Sequence, residues 1–274
     1  MSQSKQQPLF RRLKFLPMRQ RYLMRFVFRL IIAGLCLYLY IIRPAAFDVL
    51  AGWRFFHEFS PLHIVWLIWL GNMLLQLIPT SGLVSSGSQK IFRRHLDPVR
   101  PEPETAVLRA AVRDANRAAL KVAGVWLVLT SLIGLARQTG WFAQSELFLL
   151  IVFFYVADLI CVLFWCPFQR LLMKNRCCTT CRIFNWDQIM MMTPALFMTG
   201  FYTTSLLMVS IIVLLAWEVT FIRHPNRFLE VSNQVLSCQF CTDHLCYRHP
   251  STEKRDAADR IDDSRNIINQ ASSK

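Results

Sequence analysis

Five apolar stretches, each close to the length of a membrane-spanning helix, constrain the fold of this chain more than any other feature. A helix needs about 20 mostly apolar residues to cross the hydrocarbon core of a bilayer. The stretches are residues 26–42, 62–78, 118–136, 147–168 and 194–222. The sequence therefore predicts an all-α, polytopic helical membrane protein with about five transmembrane helices and cysteine-rich cytoplasmic elements.

The composition excludes the main soluble alternatives. Of the 274 residues, 54% are hydrophobic and 18% are charged, whereas soluble domains carry about 25% charged residues. A soluble globular enzyme is therefore not expected. Disorder over most of the chain is excluded because disorder requires low hydrophobicity, and only the polar tail, residues 251–274, is predicted to be disordered.

The basic residues predict how the spans are oriented, because short loops rich in Lys and Arg stay in the cytoplasm. The N-terminal flank, residues 1–25, is basic, as are the loops 83–117 and 169–193. We therefore expect a multi-pass protein of the cytoplasmic (inner) membrane with its N-terminus in the cytoplasm. The net charge of +14 is explained by these flanks, so the expected partners are the lipid bilayer and proteins at the cytoplasmic face, and no nucleic acid.

The fifth apolar stretch leaves two alternatives open. Pro194 follows Thr193 and predicts a helix start, since proline at the first helical position loses no needed donor. A single crossing from there would put the C-terminal tail outside the cell. Alternatively, residues 189–219 dip into the membrane, break near Thr199-Gly200 and return on the same side, which requires the irregular backbone to be covered by protein or water.

Seven of the nine cysteines form two clusters; Cys166 is at the end of the fourth predicted span, and the other six lie outside the spans. Each cluster contains a CxxC pair, whose two sulfurs can turn toward one metal ion. Two such pairs supply the tetrahedral set of four thiolates that zinc prefers. The predicted zinc ligands are Cys178, Cys181, Cys238 and Cys241, and the further candidates are Cys166, Cys177 and Cys246. Zinc would then pin the cysteine-rich segment 223–250 to the loop after the fourth span, as in a membrane scaffold or assembly factor.

Other roles for these cysteines remain open. The two CxxC pairs are 56 residues apart, which is more than the spacing of a zinc ribbon, about 15–20 residues. Cysteine thiolates also bind iron–sulfur clusters, and in that case the protein would transfer electrons. A redox dithiol is a further alternative, as are disulfides in a tail that lies outside the cell.

The cysteines lie within longer motifs that resemble those of a known family. Residues 164–169 read FWCPFQ, residues 173–187 read MKNRCCTTCRIFNWD, and residues 236–246 read LSCQFCTDHLC. These motifs resemble a family of bacterial polytopic membrane proteins for which no activity is known. The resemblance covers roughly the second half of the chain. It implies a bacterial membrane setting and no particular mechanism.

Polar residues inside the predicted spans are the remaining candidates. Asp158 lies within the fourth span, and an acid there indicates a proton relay or cation ligand of a small transporter. The alternative is that Asp158 pairs with a polar group of another span, such as Asn72, Gln76 or Lys121. Asn72 and Gln76 are four residues apart and predict hydrogen bonds between helices. No Ser/His/Asp motif or phosphate-binding loop is present in the sequence, and enzymatic activity is not predicted.

Overall fold

The computed structural model describes residues 18–79, 85, 87–175 and 177–240. The helices are α1 (Met18–Ile42), α2 (Leu62–Leu77), α3 (Thr105–Gln138), α4 (Gln144–Leu163), α5 (Asp187–Met192) and α6 (Phe201–Arg223). Helices α1, α3, α4 and α6 are long and apolar enough to cross a membrane. Helix α2 is equally apolar but has 16 residues. The chain is therefore an all-helical, multi-pass membrane protein over the part that the structure describes.

Helices α1 and α4 form an antiparallel pair. Tyr22, near the start of α1, packs against Leu159 and Leu163 at the end of α4. At the other end of the pair, the Tyr40 hydroxyl donates a hydrogen bond of 2.6 Å to Glu146. Glu146 also accepts a hydrogen bond from the backbone N–H of residue 143, which satisfies one of the donors that the first turn of α4 leaves open.

The segment between α4 and α6 crosses the bundle, and α6 then runs back in the opposite direction. Its first part, at Arg182 and Trp186, is hydrogen-bonded to Glu218, near the end of α6. Its last part, at Thr199, is instead held at the opposite end of the bundle by the side chain of Gln144, the first residue of α4. Residues 187–200 therefore lead from one end of the bundle to the other, and α6 leads back. This is the broken crossing that the sequence left as one of two alternatives.

Gly200 forms the break between the two crossings. Its backbone is paired with Gly52, whose N–H donates to the Thr199 carbonyl at 3.2 Å and whose carbonyl accepts from Phe201 at 2.9 Å. A Cβ atom at residue 200 would lie 2.0 Å from the carbonyl oxygen of Leu50. Only glycine permits so close an approach of two backbones, so this residue fixes where α6 begins.

Several helix boundaries differ from those of the predicted spans. Helices α1 and α3 begin earlier, at Met18 and Thr105, and the differences at α4 and α6 have specific causes. Helix α4 ends at Leu163, whereas the sequence predicted a span to residue 168, because the residue before Pro167 is disfavoured in the helical conformation. The α6 helix begins at Phe201, and Pro194 belongs to a separate 3-10 helix, Thr193–Phe197. The expected helix start at Pro194 is therefore wrong for α6: proline begins a short turn there, and the close approach at Gly200 sets the helix start.

The bundle has two ends with different contents. We call one the cysteine end; it carries residues 85, 87–99, 164–175, 177–186 and 225–240. The opposite end carries residues 43–60, 139–143 and 198–200. The segment after α6 packs at the cysteine end, where the Gln234 N–H donates a hydrogen bond of 2.8 Å to the Asp97 carbonyl. Both basic loops that were predicted to be cytoplasmic thus have their described parts at the end that also holds Cys238.

Candidate functional site

A cavity of about 380 Å³ lies inside the bundle toward the cysteine end, between α1, α2, α4 and α5. It brings together polar residues that are far apart in the sequence. Its charged and amide side chains are those of Arg25, Arg29, Asn72, Gln76, Asp158, Gln169, Asp187 and Gln188. Its thiols are those of Cys161, Cys166, Cys178 and Cys181. Most of the intramembrane and first-cluster candidates therefore share one site.

Asp158 is paired with an arginine of α1. Arg29 Nη1 lies 2.7 Å from Asp158 Oδ2, donates a second hydrogen bond to the Tyr155 carbonyl, and its guanidinium lies 4.1 Å from the centroid of the Tyr155 ring. Asn72 donates to the Tyr155 hydroxyl at 3.3 Å. Asp158 therefore pairs across two spans, as one alternative expected, but Asn72, Gln76 and Lys121 were the wrong partners. Arg29 was overlooked because it lies just inside the first span, next to the basic flank, and was counted with the bases that orient that span.

Asp187 is the acid that sequence reasoning missed. It is the first residue of α5 and is partly buried. Gln76 Nε2 lies 3.3 Å from Oδ1 and 3.1 Å from Oδ2 of this carboxyl group, and Gln188 Nε2 lies 2.7 Å from Oδ2. Gln76 thus makes a contact between helices, as predicted. Asp187 comes just before the apolar residues 189–197. This position would have marked it as an intramembrane acid only if that segment had been known to cross the bundle.

Thiols of the first cysteine cluster interact with one another at the edge of the cavity. A hydrogen bond from Cys161 lowers the pKa of the Cys166 thiol to about 7. The Gln169 N–H contributes to this, at 3.4 Å from Cys166 Sγ. Cys178 donates to Gln169 Oε1 at 3.1 Å, and burial raises the pKa of its thiol. The first cluster therefore combines a thiol with a lowered pKa, that of Cys166, and a thiol whose pKa burial raises, that of Cys178.

Lys90 is buried against the same cluster. It is 1% exposed, and its Nζ donates to the Cys181 carbonyl at 3.1 Å. Burial lowers the pKa of its ammonium group to about 8, and the favourable charge interactions that oppose this come from Cys181, Cys177 and Cys178. Within the described residues, no carboxylate forms an ion pair with Lys90. A buried lysine whose potential counter-charges are thiols was not predicted, because nothing in its sequence neighbourhood marks it.

The predicted four-cysteine set is only partly within the described residues. Cys178 and Cys181 lie in the cavity wall, Cys177 is buried with its Sγ 3.6 Å from Thr179 Oγ1, and Cys238 lies at the cysteine end. Cys241 and Cys246 lie outside the described residues. Among the residues that are described, no group of three or more His, Cys, Asp and Glu side chains could hold a metal ion.

The fold and the cavity define a class of protein: a multi-pass helical membrane protein with a polar, thiol-lined cavity inside its bundle. The four apolar helices indicate a lipid bilayer as its environment. Comparison of the chain with models of known protein families, with curated proteins and with solved structures gives no match.

Proposed function

We propose that this is a protein of a bacterial cytoplasmic membrane in which a thiolate-bound zinc ion joins the loop after α4 to the cysteine-rich C-terminal segment. The zinc ion would fix the cysteine end of the bundle, and the protein would act as a scaffold or assembly factor at the cytoplasmic face. The expected ligands are Cys178, Cys181, Cys238 and Cys241, with Cys166, Cys177 and Cys246 as further candidates.

The observation that carries this proposal is that the first cluster and Cys238, the described cysteine of the second cluster, lie at the same end of the bundle. Ligands of one metal ion must lie on the same side of a bilayer. Asn233 and Gln234 bind the 95–97 segment through three hydrogen bonds. The Asn233 side chain accepts from the Asp97 N–H at 3.1 Å and donates to the His95 carbonyl at 3.1 Å. The backbone N–H of Gln234 donates to the Asp97 carbonyl at 2.8 Å. The chain reaches Cys238 five residues later, still at the cysteine end.

The buried Lys90 supports a metal–thiolate centre at this place. Four thiolates around a zinc ion carry two net negative charges. A buried ammonium group is costly unless an opposite charge is near, and Cys177, Cys178 and Cys181 are the groups that favour its charged form. Metal-bound thiolates would supply the negative charge that makes the burial of Lys90 favourable.

The basic residues support the cytoplasmic location of this end. Arg93, Arg94, Arg170 and Arg182 all belong to its loops, whereas the described loops at the opposite end are nearly balanced in charge. Short loops with an excess of Lys and Arg remain in the cytoplasm. The proposed zinc ligands would then face a reducing compartment, in which thiols persist and structural disulfides are rare.

Metal analysis of the full chain, purified both with and without oxygen, tests the proposal. We expect about one zinc ion per chain and a colourless sample. Cys178→Ser and Cys238→Ser should each remove most of the zinc. Cys36→Ser is the matched control, because Cys36 is fully buried within α1, and this variant should keep its zinc.

Two results would overturn the zinc site. If Cys178→Ser and Cys238→Ser both retain zinc at the level of Cys36→Ser, the clusters do not share a metal ion. If the sample prepared without oxygen is brown and contains iron and sulfide in place of zinc, the site holds an iron–sulfur cluster, and the protein belongs with electron-transfer proteins.

A further inference from the structure

The cavity contains hydrogen-bond acceptors that no group of the described chain satisfies. Gln76 and Gln188 each donate from Nε2 to Asp187, and the Oε1 atom of each is buried without a partner. Turning either amide over would place its oxygen against the carboxylate, so these orientations are fixed by Asp187. Ser88 is 1% exposed, and its Oγ is also buried without a partner. Most buried polar atoms in native proteins have a hydrogen-bond partner. The oxygens of Gln76, Gln188 and Ser88 are therefore three acceptors that a ligand could satisfy.

The two acids that line the cavity, Asp158 and Asp187, differ in how they are paired with positive charge. The guanidinium group of Arg29 interacts electrostatically with both Asp158 and Asp187, but of these two acids only Asp158 accepts a hydrogen bond from it. The carboxylate of Asp187 accepts side-chain hydrogen bonds from the neutral amides of Gln76 and Gln188. Arg25, the other base that lines the cavity, lies one helical turn nearer the cysteine end, with its guanidinium 5.4 Å from the Tyr22 ring centroid. A positive charge beside Asp187 would offset the cost of burying its carboxylate.

The rest of the wall is apolar and reaches the outer surface of the bundle. Trp126 and Phe154 line the interior of the cavity. Phe28, Leu75 and Phe153 also line it and are 48%, 38% and 61% exposed, respectively. The mouth is therefore flanked by side chains that face the bilayer. A volume of about 380 Å³ is within the range of sites for small organic ligands, about 300–1,000 Å³.

We propose that this cavity binds a small amphiphilic primary amine, with its ammonium group on Asp187 and its apolar body against Trp126 and Phe154. One of the three N–H donors of a primary ammonium would bind the Asp187 carboxylate, and the other two would serve the unsatisfied oxygens of Gln76, Gln188 and Ser88. A bare metal ion fits less well, because no metal-binding group of three or more ligands exists among the described residues. This inference is independent of the zinc site.

Equilibrium dialysis of the full chain in phosphatidylcholine and phosphatidylglycerol nanodiscs tests it, with radiolabelled phenethylamine as the probe and empty nanodiscs as the blank. We expect saturable binding that Asp187→Asn weakens by about tenfold or more, because a charge-assisted hydrogen bond is lost. Asp114→Asn is the matched control, since Asp114 has a side chain that is 77% exposed on α3. It should bind like the native chain.

An uncharged probe separates lost binding from lost folding. 2-Phenylethanol has the same apolar body, so the native chain and a folded Asp187→Asn should bind it equally and weakly. If Asp187→Asn does not fold, Ser88→Ala removes one acceptor and should weaken phenethylamine binding several-fold. Equal affinity of the native chain and the folded Asp187→Asn for phenethylamine would overturn the proposal, as would the absence of saturable binding to the native chain.

The source of the ammonium group is distinguished by adding phosphatidylethanolamine to the nanodiscs. Competition with phenethylamine would identify the lipid headgroup as the occupant, and unchanged binding would identify a free amine. Zinc content is measured on the same samples. A chain that holds zinc but binds no amine overturns this inference alone, and a chain that binds the amine without zinc overturns the metal proposal alone.

Discussion

Two segments cross the bundle next to each other, residues 187–200 and helix α6, and they do so in different ways. Helix α6 is one uninterrupted helix with exposed apolar side chains along its length, among them Met208, Ile212 and Leu215. Residues 187–200 instead consist of the short helix α5, a 3-10 helix and an extended break. Of these fourteen residues, only Leu196 and Thr199 are exposed.

The difference in exposure between α6 and residues 187–200 shows where irregular backbone is tolerated at membrane depth. A helix satisfies its own backbone hydrogen bonds and can face lipid, whereas a broken segment must be covered by protein. Helices α3, α4 and α6 pack against residues 187–200, and Gln76 of α2 is hydrogen-bonded to Asp187. Because it is enclosed, the broken crossing can carry Asp187 and Gln188 into the bundle, and the polar cavity forms beside it.

Gly200→Ala should have the largest effect on this arrangement. The new Cβ atom would lie 2.0 Å from the Leu50 carbonyl oxygen, and two backbones would have to separate. We expect a loss of stability of about 3 kcal/mol or more, measured by thermal unfolding in detergent. Gly71→Ala, in the continuous helix α2, has open space around the new atom and should cost nothing. Equal stability of the two variants would show that the break is not held at Gly200.

Arg29→Met should come next, because it leaves Asp158 without its cation in the cavity wall. Removing one partner of a buried ion pair costs about 3 kcal/mol, and replacing both can restore stability. The double variant Arg29→Met with Asp158→Leu should therefore be more stable than Arg29→Met alone. Arg54→Met, which removes an exposed pair with Asp48 at 3.5 Å, should cost less than about 1 kcal/mol. A double variant less stable than the single would contradict this account.

A pair of methionine substitutions compares the two crossings directly. Met192 is fully buried in the broken crossing, and Met208 is 55% exposed on α6. Met192→Ala should cost about 2–3 kcal/mol because it leaves a cavity, and Met208→Ala should change the unfolding temperature little. If the two substitutions have equal effects, the broken crossing is not enclosed by the bundle.

Glu218→Gln should have the smallest effect and should act at the cysteine end. Glu218 accepts hydrogen bonds from Arg182 at 2.9 Å and from Trp186 at 2.7 Å, and so ties the start of the broken crossing to the end of α6. A neutral amide keeps part of these contacts, so we expect a loss of about 1–2 kcal/mol. Hydrogen exchange of residues 182–186 should become faster while exchange near Gly200 is unchanged. Faster exchange both at residues 182–186 and near Gly200 would mean that the Glu218 hydrogen bonds do not act only at the cysteine end.

The sequence predicted the helices better than it predicted the site. Apolar length alone identified the regions of α1, α2, α3 and α4, because lipid requires continuous apolar helices. The start of α6 could not be predicted, since it depends on the contact of Gly200 with Leu50 and Gly52, which is remote in the sequence. Asp158, Asn72 and Gln76 were identified as candidates because polar residues in spans are rare.

The partners of these residues were beyond the reach of the sequence. Arg29 was read as part of an orienting flank, and Asp187 was read as the end of a cysteine motif. Lys90 was one base among many in a basic loop. Each acquires its role only from the antiparallel packing of α1 on α4 and from the return of the chain through the bundle. The ligand set of the cysteines remains a prediction, because Cys241 and Cys246 lie outside the described residues.

A cross-link between Gln144 and Thr199 tests the central claim, that residues 187–200 cross the whole bundle. Gln144 Nε2 lies 3.1 Å from Thr199 Oγ1 at the end opposite the cysteines. In the double variant Gln144→Cys with Thr199→Cys, a flexible bis-maleimide should join the two introduced thiols, because it spans more than the short Cβ–Cβ distance that a disulfide requires. Mass spectrometry of the linked peptides would detect the link. The pair Tyr40→Cys with Glu146→Cys, which also meets at that end, is the positive control. A link in the control pair without one between residues 144 and 199 would contradict the broken crossing, because a single helix from residue 194 would keep Thr199 near the cysteine end.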